Sequence, residues 1–418
     1  MREMKDSGFN WIGKIPKHWV VERLQWHLYE INKKNSPIQT TNVLSLTNKR
    51  GVIPYEDKGA QGNISKENYN EYHLAYKDTI VANSMNILIG SVGYSEYFGC
   101  VSPVYYVFKE KTNNNLRFIN YIMQTPQFQK ELRKYANGIL EIRLRVSSDD
   151  ILKRMVAFPC LQEQGKIADY LDKKCGEVDS IIANIQKQID ILTVYKHTII
   201  AECVTKGLDK DAEIKKSEIY YMAPYNSKWN LSKIGYVLKK LSRSFDSSHP
   251  AVLCTNKGKV SIRPDTLTGK MVSEDHAMQG IRKGDIAIHG MDTWHGAIAY
   301  SEIDGKITRV VHVCNSNQDN RFIVYYLQHL AFAGVYKLIS NGIRENTSDF
   351  RSWDKVKDIY IAYPSRKEQQ EIADYLDKKC TEIESIIADK KQQLEVIEKY
   401  KKSLIYEYVT GKKEVVDE

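Results

Sequence analysis

The sequence predicts a mixed α/β protein of two related domains separated by a long two-helix antiparallel coiled coil, the whole an internal repeat with pseudo-twofold symmetry. Three observations predict it. First, the nine residues Ile167-Ala168-Asp169-Tyr170-Leu171-Asp172-Lys173-Lys174-Cys175 return unchanged as Ile372 to Cys380. Second, flanking residues keep the same 205-residue spacing: Pro159 with Pro364, Glu163-Gln164 with Glu368-Gln369, Tyr195-Lys196 with Tyr400-Lys401, Val204-Thr205 with Val409-Thr410. Third, each copy carries a heptad run of apolar residues near its end. A long internal period dictates architecture. Two copies are too few for a solenoid, so two domains, each followed by the same kind of helix, is the better reading.

Residues 1–158 form the first domain in this reading. Thr79-Ile80-Val81-Ala82 and Val104-Tyr105-Tyr106-Val107 have the composition of short strands, and Leu116 to Tyr135 reads as helix. Residues 159–207 form the first long helix. Leu171, Cys175, Val178, Ile182, Ile185, Ile189 and Leu192 alternate spacings of four and three, a coiled-coil seam. Gly207 stands where a helix stop belongs. Residues 208–229 are a charged linker and the entry to the second copy, where Ile214-Lys215-Lys216-Ser217 weakly echoes Met4-Lys5-Asp6-Ser7.

The second domain is placed at 230–363. Asp285 to Ile288 and Thr308 to Val313 are its expected strands, and Arg321 to Leu338 its expected helix. Residues 364–412 form the second long helix, with Leu376, Cys380, Ile383, Ile387, Leu394 and Ile397 on the seam and Gly411 at its end; 413–418 are a tail. Lys390 interrupts this seam where Ile185 stands in the first copy. Its charge could set register, or its stem could lie along apolar surface with the amine in water. A helix of some 40 residues spans about 60 Å. Neither has enough apolar face to be buried alone, so each seam should pack on the other, and a pseudo-twofold makes them antiparallel.

Composition permits two or three soluble domains: 42% hydrophobic and 27% charged residues in 418. The net charge of +9 points mildly to a polyanionic partner. Seven cysteines without a C-x-x-C pair argue for a reducing, cytoplasmic setting and against a disulfide framework or zinc knuckle, with Cys175 and Cys380 packing as small hydrophobes. No apolar run reaches transmembrane length, and the first residues lack a signal-peptide core. No phosphate-binding loop, dinucleotide fingerprint or metal-ligand spacing is present. His289 and His295 bracket Trp294, but no carboxylate pattern around them supports catalysis.

Several segments carry a family resemblance. These are Trp11-Ile12-Gly13-Lys14-Ile15-Pro16-Lys17-His18-Trp19, Phe158-Pro159 followed by Glu163-Gln164 and Ile167 to Asp172, and Val204-Thr205-Lys206-Gly207-Leu208. Tyr363-Pro364, Glu368-Gln369, Ile372 to Asp377 and Val409-Thr410-Gly411-Lys412 supply them again. Over essentially its whole length the chain resembles the DNA-specificity subunits of type I restriction-modification systems. It departs from their frequent Pro-Pro before Glu-Gln, with Pro159-Cys160 and Pro364-Ser365. The second copy has also lost most of the Trp-Ile-Gly entry, which blurs where domain two starts.

The resemblance implies two target recognition domains, each reading half of a split, asymmetric site in double-stranded DNA. It implies helices that space the readers and dock two adenine-N6 methyltransferase subunits, and two motor-nuclease subunits that complete the complex. S-adenosylmethionine, ATP and Mg²⁺ would sit on those partners; this chain would hold no cofactor or metal and catalyse nothing. Candidate DNA contacts lie in polar loops between the frame motifs, where Arg, Lys, Asn and Ser can reach bases or phosphates. In domain one they are Asn48, Lys49, Arg50, Asn83, Ser84, Asn86, Arg143 and Arg145. In domain two they are Asn256, Lys257, His289, Asp292, Thr293, Arg344 and Asn346. Met85 and Met291 read as core. A coiled-coil scaffold with protein-binding ends is the competing class. A self-contained methyltransferase is disfavoured, since no Asn-Pro-Pro-Tyr-type motif occurs. The recognised bases, the spacer length and whether methyltransferase and nuclease share one chain are not legible.

Overall fold

The computed structural model describes residues 2–47, 50–59, 68–138, 144–264, 277–340 and 350–416. The chain divides into two compact units. One comprises Met1–Ile185 with Gln392–Glu418, the other Gln186–Lys391. Each unit therefore owns one mixed domain and parts of both long helices, Leu161–Lys206 and Arg366–Val409.

In the first unit a four-stranded antiparallel sheet runs in the order Leu28–Glu30, Tyr105–Glu110, Thr79–Asn83, Val92–Ser95. Every residue of Thr79–Asn83 is buried, as a central strand covered on both faces requires. Two smaller pairs flank it, His73–Ala75 with Gly99–Val101 and Leu44–Thr47 with Gly51–Pro54. Val20–Arg23, which opens the domain, pairs antiparallel with Met155–Phe158, which closes it just before the long helix.

The second unit repeats this plan. Its sheet order is Leu238–Lys240, Val311–Ser316, Ile286–His289, Ile298–Tyr300. Met278–Ile281 pairs with Gly305–Thr308, Val252–Cys254 with Val260–Ile262, and Asn230–Lys233 with Tyr360–Tyr363. The segment after the first long helix is more ordered than a plain linker. Ile214–Lys215 pairs with Tyr225–Asn226, as Met4–Asp6 pairs with Lys14–Pro16.

Three expectations need correction. The helix expected over Leu116 to Tyr135 is two, Leu116–Gln124 and Pro126–Arg133. Pro126 cannot continue a helix but suits the first position of a new one, and Thr125 caps that one by accepting from the Phe128 amide. The helix expected over Arg321 to Leu338 breaks at Gly334, whose φ is +73°, into Asn320–Phe332 and Val335–Ile339. The strand expected over Thr308 to Val313 is two strands that part around Arg309, whose amide donates to the Ala277 carbonyl outside the four-stranded sheet.

Within each unit the long helices run antiparallel. In the first, Lys401 reaches Asp179 at 2.6 Å, and the Tyr408 and Tyr170 hydroxyls meet at 3.1 Å. In the second, Lys196 binds Glu384 at 2.5 Å, and Lys390 donates to Gln188 at 2.5 Å. Residue numbers rise along one helix as they fall along the other. Lys390 thus makes a polar cross-helix bond at the place where the first copy has an isoleucine.

Leu171, Cys175, Val178, Ile185 and Ile189 are buried, as are Leu376, Cys380 and Ile383; Ile182, Leu192, Ile387, Leu394 and Ile397 are half-buried. The helix faces merge with the domain cores. Leu171, Leu404, Ile405, Tyr408 and Val409 pack with Trp19, Phe118 and Ile122. Ile199, Ile200, Val204, Leu376 and Ile383 pack with Trp229, Phe322 and Tyr326. Each such large apolar side chain contributes about 1.5–3 kcal/mol on full burial.

All seven cysteines are free, and all but Cys160 are buried. Burial pushes the Cys175 thiol up to about 11 and the Cys254 thiol to about 12. Among the described residues no helix is long and apolar enough to cross a membrane, and no group of His, Cys, Asp and Glu could hold a metal.

Candidate nucleic-acid interface

The repeated motifs build a frame. Gln164 is buried; its carbonyl oxygen accepts the Asn115 amide, and its Nε2 donates to the Pro159 carbonyl. Gln369 does the same with the Asp319 amide and the Pro364 carbonyl. One side chain thus ties the start of a long helix to the cap of a domain helix. Arg117 bridges Asp169 and Asp172, and Tyr121 also donates to Asp172; Arg321 and Tyr325 repeat this with Asp374 and Asp377. The Ile-Ala-Asp-Tyr-Leu-Asp segment is duplicated because its apolar residues enter the core while its carboxylates anchor the domain.

On that frame each unit carries one loop in the same place. In the first, Asn83 ends the central strand and is buried. Its side-chain oxygen accepts the Met85 amide at 3.0 Å. Ile87–Ile89 forms a 3₁₀ turn that stops at Gly90, φ +89°, a left-handed conformation glycine adopts without strain. The Ser84 amide donates to Val104, and its carbonyl accepts from the Val146 amide. Val146 is fully buried, and its own carbonyl accepts the Tyr106 hydroxyl at 3.2 Å. This plug fixes the exposed Arg145 beside the loop, its Nη2 3.8 Å from the Met85 sulfur.

In the second unit His289 stands where Asn83 does. Its Nδ1 accepts the amides of Met291 at 3.3 Å and Asp292 at 3.1 Å. Thr293–His295 forms the 3₁₀ turn, ended by Gly296 at φ +79°. The Gly290 amide donates to Val310, and its carbonyl accepts from the Phe350 amide. Phe350 is the buried plug, and its carbonyl accepts from Nε2 of His312 at 2.7 Å. A Cβ on Gly290 would lie 3.0 Å from the backbone of Val310, Phe350 and Arg351, so only glycine sits here without displacement. Arg351 is exposed and places Nη2 2.9 Å from the Met291 sulfur.

These contacts fix protonation. A ring nitrogen that accepts two amides carries no proton, so His289 is neutral with hydrogen on Nε2. Burial holds its pKa below the ordinary imidazole value, Arg351 reinforces this, and Asp292 opposes it. The Asp292 carboxylate, 3.4 Å from the same Nδ1, becomes an ion-pair partner only when the ring protonates. Burial likewise lowers the pKa of His312.

The expected contact residues divide accordingly. Asn86, Arg145, Asn256 and Lys257 are exposed, and Asp292 is half-buried. Arg50 is exposed, its guanidinium donating to the Asp57 carbonyl. Asn83, Ser84 and Thr293 are buried, and half-buried His289 accepts the amides of its own loop through Nδ1, so these four shape the loops. Asn48, Lys49, Arg143, Arg344 and Asn346 lie outside the described residues. Met85 and Met291, read as core, are half-buried members of the loops themselves.

Arg351 was missed. A search by the 206-residue offset that relates Met85 to Met291 would have found it from Arg145, because Arg145 and Arg351 each follow their methionine by 60 positions. Lys259 was also missed; it binds Glu384 at 3.0 Å and ties its hairpin to the long helix.

Comparison with known proteins agrees with this frame. Residues 16–191 match the type I restriction modification DNA specificity domain. Over 96% of its length the chain is 23% identical to a putative type I restriction enzyme MjaX specificity subunit of Methanocaldococcus jannaschii, 95% of which is covered. The MjaVIII specificity subunit of the same organism is 25% identical over 62% of this chain and 61% of its own. A solved structure described as the structural basis of complex assembly and conformational transition of the type I R-M system superposes with a TM-score of 0.65. That alignment has 11% identity and covers 94% of this chain and 98% of the other. The likeness there is one of fold. Residues 16–191 thus carry the type I restriction modification DNA specificity domain, and over nearly its whole length the chain is similar to type I restriction enzyme specificity subunits.

Proposed function

We propose that this chain reads a bipartite, asymmetric DNA site, one half with each unit, and brings two adenine-N6 methyltransferase subunits to it. Motor-nuclease subunits join through these; S-adenosylmethionine, ATP and Mg²⁺ are bound by the partners, and the chemistry is theirs. The observation that carries the reading is the pair of loops: one backbone plan, mounted on one frame, with different side chains. Asn83, Ser84, Asn86 and Tyr106 in the first unit correspond in the repeat to His289, Gly290, Asp292 and His312 in the second. A shared frame whose loops are held by different side chains suits two readers of unlike half-sites.

Docking of two copies of one partner is supported by a second duplicated surface. On the long helices the first unit exposes Ile181, Val396 and Tyr400, and the second exposes Ile386, Ile191 and Tyr195. These are the same three repeat positions, 49%, 58% and 54% exposed in one unit against 45%, 57% and 54% in the other. Apolar patches rich in tyrosine are interface material, and a patch written twice fits two copies of one protein.

Mapping modified adenines in host DNA by long-read sequencing tests the core of this reading. The expected motif is two unlike half-sites with a fixed gap; a single contiguous motif overturns it. The ruler is tested by removing one heptad from each helix, Val178–Asn184 and Ile383–Asp389. Seven residues at 1.5 Å rise shorten each helix by about 10 Å, roughly three base pairs of duplex at 3.4 Å each. The preferred gap should shrink by about that number, and an unchanged gap shows that the helices do not set it.

A further inference from the structure

We propose that Arg145 and Arg351 each read a guanine, one in each half-site, as guanidinium forks oriented by the sulfur of Met85 or Met291. The inference rests on the DNA-reading function and adds which side chains do the reading and what they recognise.

Four observations meet at these residues. Both arginines are exposed beside the duplicated loop. Both stand next to an anchored backbone position. Arg145 exchanges two hydrogen bonds with Asn137 and adjoins the buried Val146; Arg351 adjoins the buried Phe350. Both plugs are gripped from the central sheet, by the Tyr106 hydroxyl or the His312 imidazole. Both guanidinium groups rest one nitrogen on a methionine sulfur, a soft acceptor that orients the plane without neutralising the charge. Among the described residues neither arginine has a carboxylate within ion-pair distance.

The arginine precedes its plug in the first unit and follows it in the second, yet the guanidinium reaches the equivalent methionine in both. Two different local sequences thus arrive at one placement, which speaks against a chance surface charge. A rigid planar fork with free paired donors matches two adjacent acceptors. Of the base edges in the major groove only guanine offers that pair, O6 and N7. Lysine is a poorer substitute, because its ammonium is a point charge without the planar fork.

The test uses the full chain assembled with its methyltransferase partner and a duplex library randomised through both half-sites, read by sequencing the methylated products. Arg351→Ala should erase a guanine preference on the order of 10- to 100-fold at one position of one half-site and leave the other half-site unchanged. Arg145→Ala should do the reverse. Arg351→Lys should hold overall affinity within a few-fold and weaken the guanine preference, and Met291→Leu, which keeps the volume, should weaken it by less. Unaltered base preferences in the alanine variants overturn the assignment. So does a uniform loss on all sequences with a salt slope reduced by about one, the mark of a phosphate contact. A wild-type complex with no split preference overturns the DNA reading itself, an outcome distinct from both.

Discussion

The two duplicated loops differ in what holds them, and the difference is chemical rather than geometric. The first is pinned by an amide, Asn83, and a phenol, Tyr106; the second by two imidazoles, His289 and His312, at the same places. Asparagine and tyrosine keep one protonation state from acid to neutral pH. The imidazoles do not: His289 holds its loop only when neutral, because its Nδ1 must accept, while His312 donates from Nε2 and is disfavoured as a cation by burial. The second unit also fastens its Val252–Ile262 hairpin to the long helix through Lys259 and Glu384, whereas Arg50 on the first unit's hairpin turns back to the Asp57 carbonyl. The second unit's loop thus depends on a neutral imidazole at a place where the first unit's loop depends on an amide.

The largest expected effect tests whether the shared frame is equally strong in both units. Leu171→Ala and Leu376→Ala each truncate a fully buried residue, at a cost of about 2–5 kcal/mol. Hydrogen exchange should show the loss in the unit that owns the leucine. A loss spread evenly over both would mean the units do not unfold separately.

Next come the glutamine ties. Gln164→Leu and Gln369→Leu leave a buried carbonyl and amide without partners and should cost about 1–3 kcal/mol each. Equal costs would establish that the two frames are energetically the same. A cost in only one would show that the other copy is supported from elsewhere.

The pH comparison is smaller and more specific. A buried histidine whose pKa is depressed contributes stability that is complete above the ordinary value near 6.5. It is lost as pH falls from there through the depressed folded value, because the unfolded ring takes up a proton first. Sequence preference in the half-site read by the second unit should therefore relax below about pH 6, while the other half-site holds. Exchanging the pins, His289→Asn with His312→Tyr, should remove the effect. Selectivity measured at pH 5.5 and 7.5 decides it, and equal acid loss in both half-sites would show that the histidines are not the cause.

The smallest effect is expected from Lys259→Ala. Its ion pair is largely exposed, so stability should change by no more than about 0.5 kcal/mol. Faster amide exchange in the turn at Thr255–Gly258 would still show that the hairpin had been released.

The repeat was the most legible feature of the sequence because identical segments do identical work. Ile167 to Asp172 and Ile372 to Asp377 pack and bind alike, so neither could drift. The long helices announced themselves through the four-three spacing of their seams. Less was visible in the domains. The breaks at Pro126 and Gly334 were written in the sequence but outweighed by the apolar rhythm around them. The duplicated loops were legible as positions but not in the roles of their side chains. Polar residues near the methionines drew attention, yet Asn83 and Thr293 are polar in order to satisfy their own backbone. Arg351 keeps the 206-residue offset from Arg145, but the plug residues do not, since Val146 follows Arg145 whereas Phe350 precedes Arg351, as the hydrogen bonds to Ser84 and Gly290 show.

One arrangement has a consequence for synthesis. The core around Trp19 and Phe118 is completed by Leu404, Ile405, Tyr408 and Val409, and Gly411 packs against the Trp19 ring. At translation rates of about 5–20 residues per second, those partners emerge tens of seconds after the domain that awaits them. The second unit, a continuous stretch from Gln186 to Lys391, has no such wait. During biogenesis the earlier-made reader is the one left with an open hydrophobic seat, so it is the half of the molecule with most to gain from a chaperone.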